Sequence, residues 1–381
     1  VRRHRTARLL ATLSLGATAL ALPAPASAAA ATREPLRDAL EGAGRPLRAS
    51  DSAVELHPAA LRSMVRRTAR RYASAASEFR VASDRYGPAE VESVAAVLRS
   101  LDHGPEMARL SVFVATPEEL GEACGAEVLA CYFPSVDEMV VSGVDRPVDG
   151  VPRDFAIAHE YGHHVANTRP GAALPAIEAG TPRWATYERV CQLTRRGRLH
   201  PGDQGAHYWQ DPEEAFAQSY ARLNRPDDRV GWQYTPLLRP TAAALAKIHA
   251  DVARPWAGPV ERSWGAAVGA PPAPGEAAAG VRAGPVGVGA GQALGGPPPV
   301  ASRLVRTPLD GAITVSLQAP EGAGLALALR DPEHGRVLAR AATGPEGAAR
   351  LSYSNCGHAA LRLEVRSTAG PASFRATIAR P

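Results

Sequence analysis

Residues 158–164 read Ala-His-Glu-Tyr-Gly-His-His, and three of them have the types and spacing for hydrolysis at a metal ion. On a helix, side chains four apart share one face with Cβ atoms about 6 Å apart. His159 and His163 can therefore offer imidazole nitrogens to a single ion. Glu160, one position along, is turned from direct ligation but reaches a water beside that ion, where a carboxylate can take up its proton. Zinc suits such a set because it accepts three protein donors and keeps a fourth position open. His164 points about a quarter turn away from His163 and is read as packing behind the site.

The third donor has to come from elsewhere in the chain. Ala166 and Arg169 stand where a metzincin carries glycine and histidine, which excludes that class. Glu178 is nearby in sequence but sits in Pro-Ala-Ile-Glu-Ala-Gly, with no long helix around it. The segment from Asp211 to Ala221 is the better source: Asp211 caps a helix, Pro212 takes its first position, and Glu213 and Glu214 fill its first turn. Acidic residues there serve a helix end as readily as they serve a metal. The small Ala215 and Ala217 let this helix come close to the motif helix and favour Glu214.

The pair His159-Glu160-Tyr161-Gly162-His163 and, some fifty residues on, Glu214-Ala215-Phe216-Ala217 resembles the gluzincin-type zincin metallopeptidases, in particular the lethal-factor-like group. The resemblance covers about residues 110–255. It implies zinc held by His159, His163 and Glu214, a general base at Glu160, and an oxyanion-stabilising side chain shortly before the third ligand. Tyr208 and His207 compete for that last role. Gln218 departs from the pattern, which has a second acidic residue at that position. The implied partner is a peptide or protein substrate. Two other readings stay open: a zinc hydrolase of cell-wall or other non-peptide amides, and a catalytically silent zincin used as a secreted binding module.

These residues need elements to position them. The motif helix should start at Asp154 as N-cap and stop near Asn167 before Pro170, with strands at 111–115, 128–133 and 138–144 ahead of it. The strand 138–144 is expected to run along the cleft edge and to hydrogen-bond an extended peptide. Further helices are expected at 183–195, 212–223 and 242–252. Trp184, Trp209 and Trp232 are read as core or cleft-wall residues. The fold class is α+β: a zincin-like domain over 106–262, with 29–105 a helical N-terminal region serving as propeptide or supporting lobe. A Gly/Ala/Pro linker over 263–300 cannot bury enough apolar surface to fold. It leads to a small β-sandwich over 301–381, with strands at 312–317, 325–329, 349–353, 361–365 and 374–378. That tail resembles the prepeptidase C-terminal domains of secreted bacterial peptidases in its strand spacing and in Cys356-Gly357 before the last two strands.

Arg2, Arg3, Arg5 and Arg8 precede an apolar run from Leu9 to Leu22, then Pro23, Pro25 and the triplet Ala26-Ser27-Ala28. This reads as a signal peptide over 1–28, shorter in its apolar run than the roughly 20 residues of a membrane span, so a secreted protein without stable membrane insertion is expected. The net charge of +5 rests almost wholly on arginine, with no stretch interleaving arginines and aromatics, so no nucleic-acid partner is expected. Export places the four cysteines in an oxidising compartment. Cys124 and Cys131 flank a short segment and are expected to pair, leaving Cys191 with Cys356 to tie the tail to the catalytic domain. The sequence carries no signature of oligomeric state.

Overall fold

A computed structural model of the protein describes residues 58–74, 77–125, 128–147, 150–226, 230–269 and 299–381. The expected signal peptide and most of the expected linker lie outside these residues. The first body is built on a five-stranded sheet of β1 (Thr68–Ser74), β2 (Ser77–Ser83), β3 (Ser111–Ala115), β4 (Ala130–Phe133) and β5 (Glu138–Ser142), in the order β1-β2-β3-β5-β4. The steps β2-β3 and β3-β5 are parallel; the two outer pairings are antiparallel. β3 and β5 are apolar at nearly every position because both their faces are covered. Val112, Val114, Met139 and Val141 join the core under the motif helix, whereas Phe113, Ala115 and Val140 join a smaller core on the opposite face.

Four expectations about this body are corrected, two of them in its sheet. The region 29–105 is not wholly helical: Pro88–Arg99 is the expected helix, burying Val91, Val94, Val97 and Leu98, but β1 and β2 lie ahead of it in the same sheet as the motif's own strands. The described part of that region is thus integral to the first body. Its β1 residues are largely Arg and Ala, good helix formers, and hairpin pairing from Thr68↔Ser83 to Ser74↔Ser77 overrides that preference. The strand at 138–144 is also not an edge. β5 lies between β3 and β4, and it is the antiparallel β4 that ends the sheet.

The motif helix spans Arg153–Asn167, with Pro152 rather than Asp154 at its N-cap. Asp154 sits inside the first turn, where a negative charge still favours the helix end, and its Oδ1 lies 3.2 Å from Arg153 Nη2. The partner helix spans Pro212–Asn224 as expected, capped by Asp211 Oδ1 accepting from Glu213 N at 2.9 Å. The two helices approach closely because Gly162 faces Ala217: a Cβ on Gly162 would lie 2.9 Å from Ala217 Cα. The helix expected over 183–195 is two, Pro182–Tyr187 and Val190–Arg195, broken where Arg189 turns left-handed at φ 58°.

The second body is two four-stranded antiparallel sheets facing one core. One sheet runs β10 (Val337–Ala342), β9 (Leu325–Arg330), β12 (Ala360–Ser367), β7 (Val300–Arg306); the other runs β11 (Ala348–Asn355), β8 (Gly311–Gln318), β13 (Ala372–Arg380), β6 (Val260–Val268). All five expected strands are present. β6, β7 and β10 were not expected; β6 pairs along β13 from Val260↔Arg380 to Val268↔Ala372, so the second body starts at 260 rather than 301 and takes part of its first strand from the expected linker. The alternation of β6 is concealed by Gly265, Ala266 and Ala267. The bodies are joined by the disulfide Cys191–Cys356, by Asp310 N donating to Thr186 Oγ1 at 3.0 Å, and by Arg195 Nη2 donating to Ser354 O at 3.2 Å. Cys124–Cys131 is the second disulfide, linking β4 to the helix Pro117–Cys124. Among the described residues no helix is long and apolar enough to cross a membrane.

Candidate metal centre

One helical turn separates His159 from His163, and the helix brings their Nε2 atoms to 3.2 Å from one another. From the partner helix, Glu214 places Oε2 3.2 Å from His159 Nε2 and Oε1 3.7 Å from His163 Nε2. Bonds of about 2.0–2.1 Å at a tetrahedral angle set donors about 3.3–3.4 Å apart. The His159–His163 and His159–Glu214 separations lie close to that spacing, and the three side chains are gathered closely enough to hold one divalent ion. Two unprotonated ring nitrogens at this separation would repel through their lone pairs unless a proton or cation lay between them.

The charges point the same way. Burial disfavours the charged form of His163, yet Glu214, Glu213 and Glu160 outweigh it and push the imidazole up to about 10. Burial likewise works to raise the Glu214 carboxyl, but His163, His159 and the Tyr234 hydroxyl hold it down at about 2. The acidic side chains around the two imidazoles thus favour positive charge at this cluster. Glu160 is raised by burial, with His159 and His163 opposing. It lines, with His159, a cleft of about 300 Å³ walled by Val128, Leu129, Phe155 and Val230.

No family model matches the chain, and no curated protein matches it either. The reading of the site therefore rests on its own geometry. Glu214 is the carboxylate grouped with both imidazoles; Glu213 instead lies behind the ring, with Oε1 3.3 Å from His163 Nδ1, too far off line for a full hydrogen bond. Glu178 is not part of the cluster. Tyr208 is brought to the site, its hydroxyl donating to Glu214 Oε2 at 3.1 Å. His207 goes elsewhere: its Nδ1 lies 2.9 Å from Asp203 Oδ2 and its ring stacks on His200 with centroids 3.9 Å apart.

Sequence reasoning missed Tyr234. Its buried hydroxyl donates to Glu214 Oε2 at 2.9 Å and lies 3.3 Å from the Tyr208 hydroxyl. Burial and the adjacent Glu214 charge raise both phenols, so each stays a donor. The available signal was the run Trp232-x-Tyr234 after the partner helix, aromatic and close to a polar face.

Behind the site, His164 is fully buried, with Nε2 2.9 Å from Glu106 O and Nδ1 3.0 Å from the Tyr132 hydroxyl. Glu106 also receives Tyr161 OH at 3.0 Å and Arg169 Nη2 at 2.6 Å. This polar network pins the C-terminal half of the motif helix to the segment Pro105–Arg109 and to β4. Trp184 is core, packed on Phe216; Trp232 is half-buried; Trp209, at 56% exposure, is neither core nor a covered wall.

Proposed function

We propose that the chain is a secreted zinc-dependent peptidase. The observation that carries the reading is the convergence of His159, His163 and Glu214 beside a cleft that holds Glu160. The site's donors, two imidazoles and one carboxylate, are those of catalytic zinc, and its buried field calls for a cation. Bound zinc supplies Lewis-acid polarisation of a carbonyl and a lower pKa for water, toward about 7.

The remaining steps belong to the protein. Glu160, its basicity raised by burial, accepts a proton from the attacking water and passes it to the departing amine. Tyr208 turns from Glu214 to donate to the oxyanion as it develops, a contribution of roughly 3 kcal/mol in comparable sites. Tyr234 keeps its hydrogen bond and holds the Glu214 carboxylate in place. β4, at the sheet edge beside the cleft, pairs with an extended peptide by strand addition. The apolar walls Val128, Leu129, Phe155 and Val230 receive an uncharged side chain. Two disulfides suit an oxidising compartment outside the cell.

The test is Glu160→Gln on the full chain. Zinc content should stay at the wild-type level while cleavage of a peptide library falls at least ~100-fold. Undiminished cleavage would contradict the role of Glu160. A library left intact by wild-type protein that opens peptidoglycan crosslinks would move the substrate class to cell-wall amides.

A further inference from the structure

A second cleft, of about 460 Å³, opens between the two bodies. From the first body it receives Arg189; from the second it receives Arg306, at the end of β7, and Arg380, at the end of β13, with His358 beside them. The side chains of these three arginines make no hydrogen bond or ion pair with any described residue. Elsewhere, arginines at structural junctions are engaged, as Arg169 is with Glu106 and Arg183 with Asp251. The one acid in the cleft, Asp310, is 5% exposed, and its Oδ1 accepts from Gly357 N at 2.6 Å. Burial raises its carboxyl above its ordinary value, with the Gly357 N–H, Arg195 and His358 opposing.

Arg189 adds an independent observation. It holds φ at 58°, a left-handed conformation that a residue with a Cβ rarely adopts, and it does so at the cleft wall. Strain of this kind persists where the surrounding structure imposes it and is concentrated at ligand sites.

We propose that this inter-domain cleft binds a multiply charged tetrahedral oxyanion, a phosphate or sulfate ester carried on a larger ligand. A single carboxylate engages one guanidinium in a bidentate pair, whereas a cleft lined by three arginines matches a group with several charged oxygens. The ligand bridges the bodies, because its partners come from both. This inference stands apart from the hydrolase reading and uses none of its residues.

The experiment is calorimetric titration of the full chain with sodium pyrophosphate, with sodium sulfate and hexaglutamate as parallel arms. Pyrophosphate should bind saturably, one per chain. Binding should weaken more than about tenfold in R306Q/R380Q, which loses charge-assisted bonds. It should change less than about twofold in R350Q/R362Q, which removes the same charge from exposed strand positions outside the cleft. R189G separates binding from folding: glycine takes φ 58° without strain, so its Tm should hold or rise while pyrophosphate affinity falls. Tighter binding of pyrophosphate than sulfate identifies a phosphate ester as the source, and the reverse a sulfate ester. Absence of binding, equal weakening in both double variants, or preference for hexaglutamate would overturn the proposal.

Discussion

Two clusters of this protein contain the same residue types and differ in what they can hold. His159, His163 and Glu214 meet with the histidine rings at 76° to one another and their Nε2 atoms 3.2 Å apart. His200, Asp203 and His207 also gather two imidazoles and a carboxylate, but those rings stack at 14°. Nitrogen lone pairs lie in the ring plane, so two stacked rings with centroids 3.9 Å apart direct theirs side by side rather than toward one point. The first cluster is fixed by two packed helices; the second sits on a surface loop, with His207 exposed. Composition proposes ligands, and ring orientation selects among them.

The widest separation between the clusters should come from His163→Ala set against His207→Ala. Zinc bound per chain, measured by mass spectrometry after dialysis, is expected to fall from one to near zero in the first variant and to stay at one in the second. Chelation sharpens the same contrast: it should lower the Tm of wild type and of His207→Ala, since a ligand bound to the native state stabilises it, and leave His163→Ala unchanged. Tyr234→Phe removes a hydrogen bond that orients Glu214 and should weaken zinc affinity roughly 10- to 100-fold by competition with a chromogenic chelator. Gly162→Ala inserts a methyl against Ala217 and should cost about 1–3 kcal/mol in urea unfolding. The smallest effect belongs to Asp203→Asn, which breaks an exposed pair and should shift stability by less than about 0.5 kcal/mol. A loss of zinc in that variant would erase the distinction drawn here.

The first cluster was legible because the helical period fixes where His159, Glu160 and His163 point, and because Asp211-Pro212 announces the start of the partner helix. Glu214 could be preferred over Glu213 and Glu178 from the small residues beside it. Tyr234 was not legible, since it arrives from an irregular segment whose path no local rule sets. The α+β class and the strand-rich tail followed from alternation. β1, β2, β6, β7 and β10 escaped; in β1, β6 and β10 the Arg, Ala and Gly content conceals a pattern that pairing with β2, β13 and β9 supplies. The exchange of edge position between β4 and β5 was likewise a matter of chain order in the sheet. Left-handed Arg189 splits an apparently continuous helix, a break that no glycine or proline at 188–190 announces.

The central claim is that one divalent ion is held by two rings a turn apart and one late carboxylate. Anomalous diffraction at the zinc edge from crystals of the zinc-loaded protein tests it most directly. The account predicts a single strong peak about 2.0–2.1 Å from His159 Nε2, His163 Nε2 and a Glu214 oxygen. A peak at His200 and His207 with none at the helix pair would contradict it.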